Sequence, residues 1–166
     1  MMKLPSDFLA EERGARAEKL FLEGYNCCQS VLLAFADLLE QEGLDKRQIA
    51  SLSSGFGGGM ARLREVCGCF SALTFVSGFI SPAIRPKMME ERTANYALVQ
   101  DFAARFKEAN GGSIICRELL GIAAAGQENP RPSERTEEYY KKRPCGKTIR
   151  NTAIILANYL IENQSI

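Results

Sequence analysis

The chain has 166 residues, of which 46% are hydrophobic, and this is the usual size of one domain with one buried core. Its 21 Lys and Arg residues balance 20 Asp and Glu residues, so the formal charge of +1 argues against a nucleic-acid partner or an anionic membrane surface. Histidine is absent, which excludes Ser-His-Asp and Cys-His nucleophile pairs, HExxH zinc sites and the CxxCH attachment of covalent haem.

The first predicted helix covers residues 7–22 and ends before Gly24. A second helix begins at Asn26, where Gln29 completes a capping box, and continues to residue 39. One face of this helix is apolar, and its residues are Val31, Leu32, Phe35, Leu38 and Leu39. A short helix over residues 45–53 follows, and it leads into a glycine-rich loop over residues 55–59.

The next helix begins near Cys67, and its apolar stretch, residues 66–80, is shorter than the roughly 20 residues that cross a bilayer, so a buried core helix is expected. A long helix then covers residues 87–109, with a predicted apolar face of Tyr96, Val99, Ala103 and Phe106.

Ser113 is the predicted N-cap of a short helix that ends at Gly121. Residues 123–144 are polar and irregular apart from a short helix around residues 134–141, and the final helix begins at Pro144. No segment alternates polar and apolar residues for long enough to predict a strand. The sequence therefore predicts an all-α protein, an irregular helical bundle that forms a single domain over residues 1–166.

The six cysteines are the residues most suited to a chemical function. The chain starts without the features of a signal peptide, so a cytoplasmic location is expected, and cytosolic reductants keep structural thiols reduced. All six lie in or near predicted first turns of helices, and they are Cys27, Cys28, Cys67, Cys69, Cys116 and Cys145. Unpaired backbone N–H groups at a helix start favour an anion, so this position favours the reactive thiolate. The alternative is that the cysteines are small buried hydrophobic residues.

Two other features lie near these cysteines. The loop Gly57-Gly58-Gly59 is either a tight helix connection or a cradle of backbone N–H groups for an anion, cofactor or cluster. Three arginines lie close in sequence to Cys67 and Cys116, where they either favour a thiolate or lie on a solvated face, and they are Arg62, Arg64 and Arg117.

Five short motifs occur in an order that resembles a known family. They are Asn26-Cys27-Cys28-Gln29-Ser30-Val31, Phe56-Gly57-Gly58-Gly59-Met60-Ala61-Arg62, Glu65-Val66-Cys67-Gly68, Cys116-Arg117-Glu118-Leu119-Leu120-Gly121 and Cys145. Over residues 24–160 this order resembles the C_GCAxxG_C_C family of redox-active proteins. The resemblance implies that the functional cysteines are Cys27, Cys67, Cys116 and Cys145, beside the glycine loop 57–59.

The resemblance sets Cys28 and Cys69 apart as extra cysteines. In the family a small residue usually follows the Cys-Gly pair, where this chain has Cys69, and a glycine is common where it has Ala72. Helix packing and thiol chemistry at this point are therefore expected to differ from the family pattern.

Three functions remain open from the sequence. In the first, two of Cys27, Cys67, Cys116 and Cys145 cycle between dithiol and disulfide, which requires no cofactor but requires a redox partner protein. In the second, the same four thiolates bind iron–sulfur or another metal. In the third, the cysteines only pack the core of a noncatalytic scaffold or partner-binding module. The sequence names neither a substrate nor an electron donor, and it leaves self-association open.

Overall fold

The fold is built from helices in the described residues, 2–123 and 128–164 of the computed structural model. Helix accounts for 65% of the structure and strand for 1%, which confirms the all-α prediction. The helices are α1 (Ala10–Leu22), α2 (Cys27–Ala34), α3 (Ala36–Gln41), α4 (Lys46–Leu52), α5 (Gly57–Met60), α6 (Gly68–Ile80), α7 (Met89–Ala109), α8 (Cys116–Leu120), α9 (Glu137–Lys142) and α10 (Cys145–Glu162). None of the described helices is both long enough and apolar enough to cross a bilayer.

The core lies between α1, α2, α6, α7 and α10. Helix α1 packs against α10 and α2, and α2 packs against α6. Helix α10 has one apolar face, and its residues are all buried in this core: Ile149, Ala153, Leu156 and Leu160. Burial of such a face stabilises a helix more than its intrinsic propensity does, and it fixes the start of α10 beside the starts of α2 and α6.

The predicted helix from Asn26 to residue 39 is wrong in its continuity. It divides at Phe35 into α2 and α3, and Phe35 has φ −112° and ψ 22°. Buried Arg13 accounts for the break, because its guanidinium donates to the carbonyl oxygen of Ala34 over 2.8 Å and pairs with Asp37. The Ala34 carbonyl is free to accept from the buried guanidinium because α2 ends there; in a continuous helix this carbonyl would accept an intrahelical hydrogen bond instead.

The Asn26 capping box is confirmed, and it fixes where α2 begins. The side chain of Asn26 accepts from the N–H of Gln29, and the Gln29 side chain accepts from the N–H of Asn26, both over 3.0 Å. An equivalent capping box at Asp45 and Gln48 starts α4. Because Asn26 is the N-cap, Cys27 is the first residue of α2.

Two predicted details of the later helices are wrong. The predicted apolar face of α7 is confirmed at Phe106, which is buried, and at Val99 and Ala103, which pack partly buried against the core, but it is wrong at Tyr96, which is 58% exposed. Leu98 and Phe102 are buried on this side of the helix instead. Ile115, not Ser113, is the N-cap of α8; the Ser113 hydroxyl accepts from the Ile115 N–H instead. The helix start consequently falls on Cys116.

Candidate functional site

One pocket collects all four cysteines that the sequence predicts to be functional. Its volume is about 70 Å³, and the cysteines that line it are Cys27, Cys67, Cys69, Cys116 and Cys145. All six cysteines of the chain are free thiols. The sixth, Cys28, is fully buried in the core and is not among the residues that line the pocket.

The thiols meet because the starts of four helices meet. Cys27, Cys116 and Cys145 are the first residues of α2, α8 and α10, and Cys67 immediately precedes α6. The predicted position of these cysteines at helix starts is thus confirmed. The unpaired N–H groups of a first turn stabilise a negative charge nearby, and the pocket gathers several of them around sulfur atoms.

A short backbone pairing joins the segment before α6 to the segment before α8. The N–H of Cys67 donates to the carbonyl of Ile114 over 2.8 Å, and the N–H of Cys116 donates to the carbonyl of Glu65 over 2.6 Å. Val66 and Ile115 form an isolated antiparallel bridge between them. These bonds hold Cys67 and Cys116 at one wall of the pocket.

The three loop glycines differ in their roles. Gly58 lines the pocket with φ +67°, and its backbone hydrogen-bonds Cys27. A Cβ on Gly57 would lie 2.6 Å from Asn26 Cβ, and a Cβ on Gly59 would lie 2.5 Å from Cys116 Cβ. Gly57 and Gly59 therefore permit close packing of the loop against the cysteine helices, while Gly58 offers its backbone to a thiolate.

The electrostatics of the pocket single out Cys27. A hydrogen bond from the Cys69 thiol lowers the pKa of Cys27 against the opposing effect of burial, and backbone hydrogen bonds from Gly58 and Cys28 lower it further, to about 6. Hydrogen bonds to the charged form of a group favour that form. Cys27 is therefore largely thiolate at neutral pH.

The neighbouring thiols are held in the neutral form. Burial raises the pKa of Cys116 to about 11, although its hydrogen bond with Arg64 opposes this shift. Burial and the charge of Cys27 raise the pKa of Cys145 to about 12. The pKa of Cys69 is also raised, by burial and by its hydrogen bonds to Cys27 and Cys67. These three cysteines are therefore neutral thiols at neutral pH, and Cys69 is the one that donates to the Cys27 thiolate.

The comparison with protein families agrees with this geometry. Residues 25–159 match the family model described as "Putative redox-active protein (C_GCAxxG_C_C)". The chain belongs to the C_GCAxxG_C_C family. No curated protein and no solved structure matches it. The matched residues include Cys27, Cys67, Cys116 and Cys145.

Cys69 is the pocket residue that the resemblance to the C_GCAxxG_C_C family set aside. It is 1% exposed, it lines the pocket and it hydrogen-bonds Cys27. The sequence feature that could have indicated Cys69 is its position in the first turn of α6, two residues after Cys67. Its departure from the family pattern thus lies inside the thiol cluster, whereas the other extra residue, Cys28, lies outside it.

Of the three arginines near the cysteines, Arg64 reaches the pocket. It is 5% exposed, it donates two hydrogen bonds of 2.7 Å to Glu128, and it hydrogen-bonds the Cys116 sulfur. Arg62 also pairs with Glu128, over 2.9 Å. Arg117 pairs with Glu65 over 2.6 Å, outside the pocket lining.

The side-chain arrangement gives no support to the metal hypothesis. Across residues 2–123 and 128–164, no group of three or more Cys, Asp or Glu side chains is placed so that it could hold a metal ion. Within the pocket Cys69 interacts with both Cys27 and Cys67, and two adjoining thiols suit proton and disulfide chemistry.

Gly68 is a further residue that the sequence analysis did not single out. A Cβ at this position would lie 2.5 Å from Cys27 Sγ and 2.7 Å from the carbonyl oxygen of Phe56. We expect Gly68→Ala to cost about 1–3 kcal/mol of unfolding free energy, because overpacking forces its neighbours to move, and to displace the Cys27 sulfur. Urea unfolding and the alkylation rate of Cys27 measure the two effects.

Gly78→Ala is the matched control for Gly68→Ala. Gly78 is exposed in the same helix, and nothing lies within 4 Å of a Cβ built there. The Gly78→Ala substitution should leave the alkylation rate of Cys27 unchanged and stabilise α6 by about 0.5–1 kcal/mol. Equal stability and equal Cys27 alkylation in both variants would contradict the close contact at Gly68.

Proposed function

We propose that this protein carries out dithiol–disulfide exchange, with Cys27 as the attacking thiolate and Cys69 as the thiol that completes the disulfide. The observation that carries the proposal is that both side chains line one pocket of thiols at the start of α2. The contribution of Cys69 to lowering the pKa of Cys27 to about 6 supports it. A thiolate near neutral pH that adjoins a second thiol is the arrangement that disulfide exchange requires.

In the first step, the Cys27 thiolate attacks one sulfur of a substrate disulfide. A new S–S bond forms between Cys27 and that sulfur, and the substrate S–S bond breaks. The other half of the substrate leaves as a thiolate that carries the electron pair. The backbone N–H groups of Gly58 and Cys28 hold the Cys27 sulfur in place before the attack.

In the second step, Cys69 attacks the Cys27 sulfur of the mixed disulfide. The negative charge of Cys27 has then gone, and with it two of the contributions that raise the pKa of Cys69. The first leaving thiolate accepts the Cys69 proton, and the second half of the substrate leaves as a thiolate. In total, the protein dithiol loses two electrons to the substrate disulfide, and a dithiol partner protein restores it.

The remaining cysteines have an electrostatic role in this proposal. One negative charge on Cys27 raises the pKa of Cys145 and contributes to raising that of Cys116. Like charges at short range disfavour a second ionisation. Cys116 and Cys145 therefore remain protonated while Cys27 attacks, so neither competes with it as a nucleophile.

Thiol counting with intact-mass measurement tests this function. After one equivalent of a small disulfide, we expect the six free thiols to fall to four, because one intramolecular bond consumes two of them. Peptide mapping should place the bond between Cys27 and Cys69. A reductant should restore all six.

Two variants make the result specific. Cys69→Ala should stop at the mixed disulfide on Cys27, whereas Cys28→Ala should still form the intramolecular bond, because Cys28 lies outside the pocket. A bond from Cys27 to Cys67 would contradict the assignment of Cys69. Six unreacted thiols after oxidation would contradict the function itself.

A further inference from the structure

Apart from the Cys27 thiolate, the charged residues that line the cysteine pocket are all cations. They are Arg64, Arg135 and Arg143, and neither Asp nor Glu is among the lining residues. Arg64 is engaged by Glu128 and by Cys116. The other two guanidinium groups come from the polar segment around α9, and they are the ones that can serve a ligand.

Arg135 is held in a fixed position by aromatic rings. Its guanidinium carbon lies 4.6 Å from the ring centroid of Phe21 and 4.9 Å from that of Tyr139. Its Nη2 donates to the Tyr25 carbonyl over 3.5 Å. Its Nη1 is buried and has no hydrogen-bond partner in the described chain. A buried donor without a partner is costly, so this N–H group is suited to an acceptor that enters the pocket.

Arg143 lies on the same aromatic residue. Its guanidinium carbon is 4.5 Å from the ring centroid of Tyr139. Its charge contributes to lowering the pKa of Glu128, but no salt bridge joins the two within the described residues. Tyr139 therefore carries one guanidinium from Arg135 and one from Arg143, both beside the pocket of Cys27.

We infer that Arg135 and Arg143 form a carboxylate-binding subsite, and that the substrate is a small disulfide with a carboxylate close to its S–S bond. The inference rests on the proposed attack by Cys27. A guanidinium donates two parallel hydrogen bonds to a carboxylate, which fixes orientation as well as charge. A pocket of about 70 Å³ admits a carboxyl group and the adjoining sulfur rather than a folded protein surface.

Three small disulfides of different charge test the subsite. They are 3,3′-dithiodipropionate, which is a dianion, bis(2-hydroxyethyl) disulfide, which is neutral, and cystamine, which is a dication. The rate of mixed-disulfide formation is measured by intact mass in the Cys69→Ala background. To correct for the intrinsic reactivity of each probe, this rate is divided by the rate at which the same probe reacts with a small thiol in solution. We expect the dianion to react fastest after this correction, with the neutral probe in between.

The variant Arg135→Gln separates recognition from reactivity. It should reduce the ratio of the dianion rate to the neutral rate by roughly 10- to 100-fold, the effect of losing a charge-assisted hydrogen bond. Because both rates are measured on the same variant, any effect of the lost charge on the Cys27 thiolate cancels in this ratio. Arg131→Gln is the matched control, because Arg131 is exposed and does not line the pocket. An unchanged ratio in Arg135→Gln would overturn the subsite.

Acetate competition keeps the test decisive if Arg135→Gln does not fold. In the protein that retains both arginines, acetate should slow the reaction with the dianionic probe and leave the rate with the neutral probe unchanged. Equal inhibition of both reactions, or of neither, would overturn the inference. Failure of the proposed function is a separate outcome. In that case adding Cys27→Ser to Cys69→Ala would leave the rates with all three probes unchanged. Alternatively, the unsubstituted chain would never form the disulfide between Cys27 and Cys69.

Discussion

Cys27 is expected to react with iodoacetamide with a midpoint at about pH 6, and its rate should fall as the pH drops below that value. An ordinary cysteine has a pKa near 8.5, so at pH 6 Cys27 has roughly 150-fold more thiolate. A less basic thiolate is also a weaker nucleophile, which reduces the advantage by roughly 10-fold. The midpoint of the pH profile, measured by mass spectrometry of the labelled peptide, is thus a sharper readout than the absolute rate.

Two variants identify the group responsible for this profile. Cys27→Ser should remove the phase near pH 6, and Cys145→Ser should keep it, because burial and the charge of Cys27 raise the pKa of Cys145 to about 12. If the labelled residue titrates only above pH 8, the hydrogen bonds at the start of α2 do not stabilise a thiolate as described.

Cys69→Ala is expected to reduce the thiolate fraction of Cys27 at pH 6 by roughly 5- to 50-fold. The Cys69 thiol makes the largest contribution to lowering the pKa of Cys27. A hydrogen bond to a charged group contributes about 1.5–3 kcal/mol, which corresponds to a pKa change of about one to two units. The midpoint of the pH profile of alkylation should therefore move from about 6 toward 7–8. The limiting rate at high pH should rise by roughly 3- to 10-fold, because a more basic thiolate is a better nucleophile, so the net slowing at pH 6 is roughly 2- to 5-fold.

Cys69→Ser separates the two roles of Cys69. A serine hydroxyl still donates a hydrogen bond but cannot form a disulfide. This variant should keep most of the low Cys27 pKa and still accumulate the mixed disulfide. Cys28→Ala is the control for the loss of a buried cysteine next to the site. An alkylation midpoint that is the same in Cys69→Ala and the unsubstituted chain would refute the hydrogen bond.

The local elements of the site are predictable from the sequence. The capping box at Asn26 places Cys27 at a helix start, and the break before Cys145 does the same for α10. The order of the motifs correctly indicates the family. These features depend on residues within one or two helical turns of each other, so a single sequence contains the information.

The remaining features depend on contacts between distant segments. Phe35 interrupts a regular apolar pattern because Arg13, 22 residues earlier, donates to the Ala34 carbonyl. Cys69 enters the pocket because α6 lies against the start of α2, and Arg64 does so because Glu128 holds it. Arg135 is a polar residue in an irregular segment, and its stacking on Phe21 has no signature in the sequence. Such pairings require the fold.

The gathering of helix starts around Cys27 also couples its ionisation to folding. The hydrogen bonds that lower its pKa come from different helices and disappear when the chain unfolds, so the thiolate binds its proton more weakly in the native state. This linkage stabilises the native state above the pKa of the unfolded thiol and is lost as the pH falls toward 6. The contributions of Cys116 and Cys145 to the pH dependence of stability have the opposite sign, because their pKa values are raised in the native state. As the pH rises, the unfolded chain loses these protons first, and the native state becomes relatively less stable. The cysteine pocket thereby favours the native chain most in mildly alkaline solution.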